Sequence, residues 1–299
     1  MHAEPGGRML VSDRVDLHVH TTASDGQMTP SELVEFALER GLRLLAITDH
    51  DSTNGVVEAL ARAQGTPLEV WPGVEISTDV PRSEVHMLGY FVDINNAEFQ
   101  ETLARLRDSR IQRAQQIVAK LNSLGMEISY DRVRELAGSG AVGRPHIAQA
   151  MVEKGYVESI RDAFNLYLSR NGPAYVERFK LTPVEALQLI RRAGGMPVLA
   201  HPTYISPGED SDFDLTAFVR QLVDAGLVGI ECYYGDYPPA TVEQLCEIAR
   251  QFDLIPTGGT DFHGRGMYPT DLGDREIPPE TIERMRRWRA RNAPDQPRT

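Results

Sequence analysis

Histidine and carboxylate side chains recur at the ends of short apolar segments in this sequence. The candidate set is His18, His20, Asp25, His50, Glu75, His86, His201, Asp261 and His263. Taken alone, a residue such as His86 is better explained as a core histidine with a local partner. Burying a whole set of such groups is costly unless they are paired, so packing does not explain them together. Imidazole and carboxylate groups without thiolate suit Mn²⁺, Fe²⁺ or Zn²⁺, and the set therefore indicates a metal site.

Short apolar strands must position these side chains. The strands are rich in Val, Ile and Leu and do not alternate cleanly, which is typical of parallel strands covered on both faces. Predicted strands span residues 15–19, 43–48, 68–77, 85–92, 196–200, 228–233 and 254–259. Helices fall between most of them, and this alternation predicts an α/β fold with a parallel sheet, open or closed into a barrel. In parallel barrels, chemistry is assembled at the C-terminal ends of the strands.

Helix boundaries are marked by local signals. Thr29 and Thr182 are each followed by Pro at the first helical position and by Glu at the third, the capping-box arrangement. Glycines stand where left-handed residues end helices, at Gly41, Gly125, Gly194 and Gly226. These signals predict the start of two helices and the end of four.

The strand–helix alternation stops between residues 96 and 194, which read as nearly all helix. One long amphipathic helix leads this stretch, and shorter helices follow near 130–137, 145–154 and 159–169. We therefore predict two units, a discontinuous barrel formed by 14–95 and 195–292 and an all-helical inserted subdomain at 96–194. An Arg-rich helix is predicted at about 279–292.

Composition excludes several classes of protein. The chain has 299 residues, 31 Lys and Arg against 43 Asp and Glu, and a net charge of −12. No apolar run approaches the ~18 residues needed to span a bilayer, and the N-terminus lacks the apolar core of a secretory signal. Two cysteines provide no disulfide framework, so we expect a cytoplasmic protein with no membrane partner. The acidic balance argues against binding of long duplex nucleic acid, and no obligate protein partner is evident.

Five motifs make the chain resemble a known family. They are DLHVH at 16–20, TDHD at 48–51, PGVE at 72–75, LAHP at 199–202 and TDFH at 260–263. In this order they resemble the motifs of the polymerase-and-histidinol-phosphatase (PHP) superfamily of metal-dependent phosphoesterases. The resemblance covers roughly residues 14–270 and implies a distorted TIM-like (β/α)₇ barrel. It also implies two to three divalent ions at the barrel mouth, Mn²⁺ first and Fe²⁺ or Zn²⁺ as alternatives.

The resemblance also implies a role for each candidate ligand. A first ion would be held by His18, His20, Glu75 and Asp261, and a second by Glu75, His86 and His201. A third would be held by Asp25, His50 and His263. Asp16 and Asp51, which lie next to ligands, are expected to orient imidazoles.

The helical insertion points to one branch of the family. GRPHIA at 143–148 followed by GPAYV at 172–176 resembles nucleoside-3′,5′-bisphosphate phosphatases, AMP-type phosphatases and 5′→3′ exonucleases of short RNA. Arg144, at a helix start, suits a bidentate phosphate ligand, although a surface position is the alternative. His146 is a phosphate contact, a leaving-group acid or a turn residue. Arg178 and Lys180 either reach the same pocket or lie in a solvated loop.

The expected reaction is hydrolysis of a phosphate ester of a nucleotide or of the 5′ end of a short oligoribonucleotide. Hydroxide shared by two ions would attack phosphorus in line, with Glu75 bridging the ions and Arg144 and His146 completing the catalytic set. Four arginines on the long helix, Arg105, Arg107, Arg110 and Arg113, are expected to be mostly solvated. The alternatives are a histidinol-phosphate phosphatase and, in another class, a non-catalytic metal-binding or nucleotide-sensing module.

Overall fold

A computed structural model describes residues 14–80, 83–138, 142–205, 213–267 and 269–292. Within these residues, seven strands form one sheet in chain order. The strands are β1 (Arg14–Val19), β2 (Leu42–Ile47), β3 (Glu69–Val80), β4 (Ser83–Tyr90), β5 (Met196–Leu199), β6 (Gly229–Tyr234) and β7 (Ile255–Gly259). β1 also lies against β7, and Val19 bridges to Phe262, so the sheet is nearly closed. The predicted distorted α/β barrel is confirmed.

One strand runs against the predicted direction. β4 pairs antiparallel with both β3 and β5, whereas every other neighbouring pair is parallel. The prediction of an all-parallel sheet is wrong here because β3 continues to Val80 and the chain returns at once as β4. So short a connection allows only an antiparallel pair. His86 consequently reaches the barrel mouth from within β4 and not from a strand end.

Helices cover the outside of the sheet and fill the stretch between β4 and β5. Their bounds are α1 (Pro30–Glu39), α2 (Asn54–Ala63), α3 (Ala97–Ser123), α4 (Tyr130–Ala137), α5 (Arg144–Glu153), α6 (Ile160–Ala163), α7 (Pro183–Arg192), α8 (Leu215–Asp224), α9 (Pro239–Gln251) and α10 (Pro279–Asn292). A π-helical turn, Phe164–Leu168, continues α6. In the described part of the chain, no helix combines the length and apolar character that crossing a bilayer requires.

The predicted helix signals are present. Thr29 and Thr182 each form a capping box with the Glu three residues later. The four glycines predicted at helix ends all have a φ in the left-handed region, between 72° and 104°. In that region a side chain would be strained, so the glycines allow the chain to leave each helix sharply.

The long helix α3 joins two separate hydrophobic cores. Phe99 and Leu106, in its first half, pack in the barrel core together with α7, which lies against β3, β4 and β5. Ile117 and Leu121, in its second half, pack with α4 and α5 in a cluster that extends to Ala174. We call this second unit, residues 114–176, the cap. The predicted boundaries at 96 and 194 stay a prediction: the separate core supports an inserted helical unit, while residues near both boundaries pack in the barrel core.

Candidate metal centre

All nine predicted ligands converge at one end of the barrel. Eight of them form three overlapping groups, and within each group the potential ligand atoms lie within 4.8 Å of one another. The first group is His18, His20, Glu75 and Asp261; the second is His20, Asp25, His50 and His263; the third is His50, Glu75 and His86. His201, at the end of β5, is joined to them through Glu75. The motifs are far apart along the chain, and closure of the barrel brings their side chains together.

Glu75 is the centre of this arrangement and is fully buried. Its Oε1 lies 2.8 Å from His86 Nδ1 and 3.0 Å from His201 Nε2. Its Oε2 lies 3.1, 3.2 and 3.3 Å from imidazole nitrogens of His50, His20 and His18. One carboxylate therefore faces five imidazoles, a geometry in which it can bridge two cations.

The donor atoms fit divalent cations. Six buried atoms at the centre make no hydrogen bond of acceptable geometry with any described residue: His18 Nε2, His20 Nε2, Asp25 Oδ1, His50 Nδ1, Glu75 Oε2 and Asp261 Oδ1. Buried polar atoms in native proteins are rarely left without a partner, and an ion is one of the accepted explanations. Nitrogen and carboxylate oxygen atoms are the ligand types that first-row divalent metals accept.

The electrostatic environment of the centre also favours the binding of cations. Burial opposes protonation of His20 and His86, but the neighbouring carboxylates outweigh it and raise the pKa of each imidazole to about 10. For Glu75, burial favours the protonated, neutral form, yet the surrounding imidazoles hold the pKa of its carboxyl well below the usual range. Protons and metal ions compete for such groups. The carboxylates thus attract cations to this point of the fold.

Buried acids hold the ligands in place. Glu231, on β6, accepts from His18 Nδ1 at 3.0 Å and from the backbone N–H of His201 at 2.7 Å. Asp49 accepts from Thr21 and Ser24 in the turn that carries Asp25. The sequence interpretation missed Glu231, although a charged residue inside an apolar strand was a visible signal that it must have a buried partner.

Asp16 and Asp51 do not orient imidazoles, so that prediction is wrong. Asp16 precedes His18 by two residues, roughly 6–7 Å along the strand. Its carboxylate accepts hydrogen bonds from backbone and hydroxyl groups, including Thr260 Oγ1 at 2.6 Å. Asp51 accepts from the backbone of Ser77 at 3.0 Å and from Arg110 Nε at 2.9 Å. Both acids support the backbone around the centre, including the N–H of His18, which lies 3.3 Å from Asp16 Oδ1, and not the imidazole rings.

Backbone strain is concentrated at the same loops. Asp51, His201 and Asp261 have φ angles of 49°, 23° and 54°, in the left-handed region that favours glycine. Each such residue costs on the order of 1–3 kcal/mol, and such residues cluster at active sites. The fold therefore stabilises an unfavourable backbone at the positions that aim these side chains.

A cavity of about 410 Å³ opens between the cap and the centre. His50, His86 and His201 line it on the barrel side, and apolar residues such as Ile117 and Phe164 line it on the cap side. Four arginines lie between them: Arg110, Arg113, Arg144 and Arg178. We call it the arginine cavity.

The four residues predicted to bind substrate divide into two groups. Arg144 and Arg178 line the arginine cavity, and the buried Nη2 of Arg178 has no hydrogen bond with a described residue. Burial and the neighbouring Arg110 lower the pKa of Arg178 to about 10. Lys180 and His146 are not among the lining residues: Lys180 is paired with Asp79 and Glu84. His146 Nδ1 accepts from the backbone of Gly143 at 3.1 Å and so caps α5.

The expectation that the α3 arginines are mostly solvated is wrong. Arg110 and Arg113 line the cavity, and Arg107 donates to the backbone oxygen of Asp51 at 2.7 Å. Arg105 lies over the Phe179 ring, 3.9 Å from its centroid. The physical reason is that α3 runs between the barrel mouth and the cap, so that the side carrying Arg110 and Arg113 faces the cavity while another side of the helix meets solvent.

A second cavity of about 440 Å³ lies on another side of the centre. Tyr204 and Tyr234 line it, together with residues that follow β6 and β7. We call it the tyrosine cavity. It shares four lining residues with the arginine cavity: His50, His86, His201 and Tyr204. The candidate metal centre is thus open on two sides.

Comparison with known proteins agrees with this geometry. The family of PHP domains matches residues 16–177. The chain is 33% identical to a 3′,5′-nucleoside bisphosphate phosphatase of Chromobacterium violaceum, over 89% of this chain and 93% of that one. It is 37% identical to the 5′-3′ exoribonuclease Rnm of Escherichia coli, over 83% of this chain and 84% of the relative. A solved Bifidobacterium adolescentis protein, described as a metal-dependent phosphoesterase, superposes with a TM-score of 0.76 at 33% identity, covering 91% and 94% of the two chains.

Proposed function

The chain belongs to the PHP domain family, and we propose that it hydrolyses phosphate esters of nucleotides with the help of divalent metal ions. Candidate substrates are a nucleoside 3′,5′-bisphosphate, an AMP-like nucleotide and the 5′ end of a short RNA. One observation carries the proposal: a buried carboxylate, Glu75, is surrounded by five imidazoles beside a cavity with four arginines. A cytoplasmic location is part of the proposal, because such substrates occur there.

The proposed ligand sets are those that the family resemblance implies; the groups of donor atoms support them in part, since His201 lies near Glu75 but outside the three groups. His18, His20, Glu75 and Asp261 would hold one ion; Glu75, His86 and His201 a second; Asp25, His50 and His263 a third. Two to three ions, Mn²⁺ first and Fe²⁺ or Zn²⁺ as alternatives, are part of the same proposal. When bound, such ions supply positive charge to phosphoryl oxygens and lower the pKa of a bound water.

The side chains of the protein have the remaining roles, which are to orient the metal ligands and to bind the rest of the substrate. Glu231 fixes the His18 ring through Nδ1 and leaves Nε2 directed toward Glu75 and Asp261. In the arginine cavity, Arg144 and Arg178 provide charged donors for a phosphate that does not itself react. The ions would already offset the negative charge of the reacting phosphoryl group. Arg144 and Arg178 would therefore contribute more by binding a neighbouring phosphate.

Glu84 is the acid of the arginine cavity. Its carboxylate lies 3.3 Å from Lys180 Nζ, 3.8 Å from Arg144 Nη2 and 4.0 Å from Arg178 Nη2. Four guanidinium groups outnumber this one carboxylate, so the cavity keeps a positive field for an anion. The net charge of −12 over the whole chain is therefore not an obstacle, since the local field directs a small anionic ligand.

The apolar side of the cavity suits a nucleobase. Ile117, Val142 and Phe164 offer surface without hydrogen-bonding groups on their side chains, so bases are bound with little discrimination. Histidinol phosphate, the substrate of the alternative function, carries cationic groups that the arginines would repel. A non-catalytic module is disfavoured because all nine ligand positions are occupied by competent residues.

A substrate panel tests the proposal. Purified protein supplied with Mn²⁺ is assayed with adenosine 3′,5′-bisphosphate, AMP, histidinol phosphate and a 5′-phosphorylated short RNA. We expect hydrolysis of the bisphosphate or the RNA at a kcat/KM well above that of histidinol phosphate. Preference for histidinol phosphate, or no hydrolysis of any of the four, would contradict the proposal.

Arg144→Ala is expected to discriminate between substrates. We expect it to lower kcat/KM for adenosine 3′,5′-bisphosphate roughly 10- to 150-fold. This loss corresponds to about 1.5–3 kcal/mol, the contribution of a charge-assisted hydrogen bond. A generic aryl monophosphate has no second phosphate, so kcat/KM for that substrate should fall much less. Arg161→Ala, an exposed arginine of the cap, is the matched control. Equal losses on both substrates would mean that Arg144 serves the reacting phosphate or the fold.

A further inference from the structure

Cys232 and Cys246, the two cysteines of the chain, meet where α9 packs against β6. Cys232 is fully buried on β6, whereas Cys246 lies on α9 and is partly exposed, and both are free thiols. Both pack in the hydrophobic cluster that contains Leu245 and Ala249 of α9. The two thiols hydrogen-bond to each other, and Cys232 Sγ also lies 3.6 Å from the backbone oxygen of Ile230. We call the two cysteines the thiol pair.

Cys232 occupies a bulge in β6. Glu231 pairs with Thr257 of β7 and Tyr233 pairs with Gly258, so two steps along β6 match one step along β7 and Cys232 is the extra residue. A bulge leaves its extra residue outside the ladder, and bulges are over-represented next to active sites. This point of β6 is therefore less firmly held by its neighbour than a regularly paired point of the strand.

Cys246 has the environment of a reactive thiol. A hydrogen bond from Cys232 lowers the pKa of the Cys246 thiol; burial opposes this shift, and a hydrogen bond from Tyr233 and the charge of Arg250 add to it. The thiolate is the form of cysteine that acts as a nucleophile. A partly exposed thiol of lowered pKa next to a second, resolving cysteine is the arrangement typical of redox-sensing cysteines.

Two residues of β6, one on each side of the bulge, support the candidate metal centre. Glu231 accepts from His18 Nδ1 at 3.0 Å and from the backbone N–H of His201 at 2.7 Å. Tyr234 donates to Asp261 Oδ2 at 2.9 Å. Three of the predicted metal ligands thus depend on the position of this part of β6. A covalent bond between two sulfur atoms that only hydrogen-bond in the reduced protein would draw α9 and β6 together here.

We propose that peroxide converts the thiol pair into a reversible disulfide between α9 and β6, which displaces Glu231 and lowers the activity of the metal centre. First, the Cys246 thiolate attacks hydrogen peroxide, the O–O bond breaks, and a sulfenic acid and hydroxide form. Next, the Cys232 sulfur attacks the Cys246 sulfur, and the sulfenic hydroxyl leaves with the Cys232 proton as water. The peroxide is reduced, the two thiols are oxidised, and a dithiol reductant reverses the change.

Thiol content and intact mass test the disulfide itself. Wild-type protein is treated with a small excess of hydrogen peroxide, the peroxide is removed, and the free thiols of the denatured protein are counted with a chromogenic disulfide reagent. We expect both thiols to disappear, the mass of the single chain to fall by two hydrogen atoms, and dithiothreitol to restore both thiols. Two thiols that persist, a gain of oxygen atoms at the cysteines, or a disulfide between two chains would each overturn the proposal.

Serine variants test the role of each cysteine. In Cys232→Ser the second step is absent, so peroxide should leave Cys246 as a sulfenic acid that dimedone labels. In Cys246→Ser the first step is absent, so the buried Cys232 should remain a free thiol without dimedone label. Equal labelling of the two variants would contradict these roles. Thermal unfolding checks that both variants fold, and Cys232→Ala replaces Cys232→Ser if a hydroxyl at this buried position prevents folding.

The effect on the metal centre has two readouts. In oxidised wild type, kcat/KM for adenosine 3′,5′-bisphosphate with Mn²⁺ should fall about tenfold, a typical cost of disturbing a group that orients metal ligands, and should return with dithiothreitol. The affinity for Mn²⁺, measured by equilibrium dialysis, should fall with it. Cys246→Ser should show neither change after the same treatment.

The outcomes separate this inference from the proposed function. A disulfide that changes neither hydrolysis nor Mn²⁺ affinity, or the same losses in Cys246→Ser, would overturn the inference while the proposed function stands. A reduced protein that hydrolyses no nucleotide would contradict the proposed function. The thiol count and the Mn²⁺ affinity would then still decide this inference.

Discussion

Glu75→Gln is expected to lower kcat/KM by at least about 10³-fold, which corresponds to about 4 kcal/mol of lost transition-state stabilisation. The amide keeps the size of the side chain but removes the negative charge that five imidazoles face. It would also remove the carboxylate that we propose to bridge two ions, and their mutual repulsion would then no longer be offset. Steady-state kinetics on adenosine 3′,5′-bisphosphate in the presence of Mn²⁺ would measure the loss.

The control for this substitution lies on the same strand. Glu69 is exposed and paired with Arg286 at the protein surface, and such pairs contribute little to stability. Glu69→Gln should therefore keep activity within about twofold of wild type. A Glu75→Gln protein that retains more than a tenth of wild-type activity would show that this carboxylate is not shared between ions.

His50 and His263 are expected to act as one unit. His50 Nε2 lies 3.8 Å from Asp25 Oδ2, and His263 Nε2 lies 3.4 Å from Asp25 Oδ1, so the same carboxylate stands between them. If the three hold one ion, either loss already removes it. Each alanine substitution should then cost on the order of 10²-fold in kcat/KM, and the double substitution should cost little more than either alone.

A double-mutant cycle measures this coupling directly. It compares wild type, His50→Ala, His263→Ala and the double variant on one substrate at one Mn²⁺ concentration. Losses that multiply to about 10⁴-fold in the double variant would mean independent roles and would remove the support for a shared third site. Thermal unfolding of all four proteins checks that the comparison is made between folded chains.

The positions of the candidate ligands could be predicted from the sequence because each lies in a short local motif. Asp261 and His263 directly follow β7, and His50 follows β2, so identifying the strand ends was enough to bring them together. The direction of each strand could not be predicted from such local motifs. An apolar run such as the one that carries His86 has the same appearance in a parallel and an antiparallel strand, so the reversal of β4 was missed.

Long-range packing limited the prediction of the arginine cavity. The apolar stripe of α3 was visible in the sequence, but which polar residues face solvent depends on what covers the opposite side of the helix. Arg110 was therefore interpreted as solvated, although it donates to Asp51 at the barrel mouth. Arg144 was found because it begins a helix in a recognisable motif. The roles assigned to individual ligands and arginines stay predictions.

Elemental analysis tests the central claim most directly. Purified protein is incubated with Mn²⁺, separated from unbound ion, and analysed for metal per chain, with Glu75→Gln treated in parallel. The account predicts about two to three ions per wild-type chain and fewer in the variant. Well under one ion per wild-type chain, with no hydrolysis of nucleotide phosphates restored by added Mn²⁺, would contradict it.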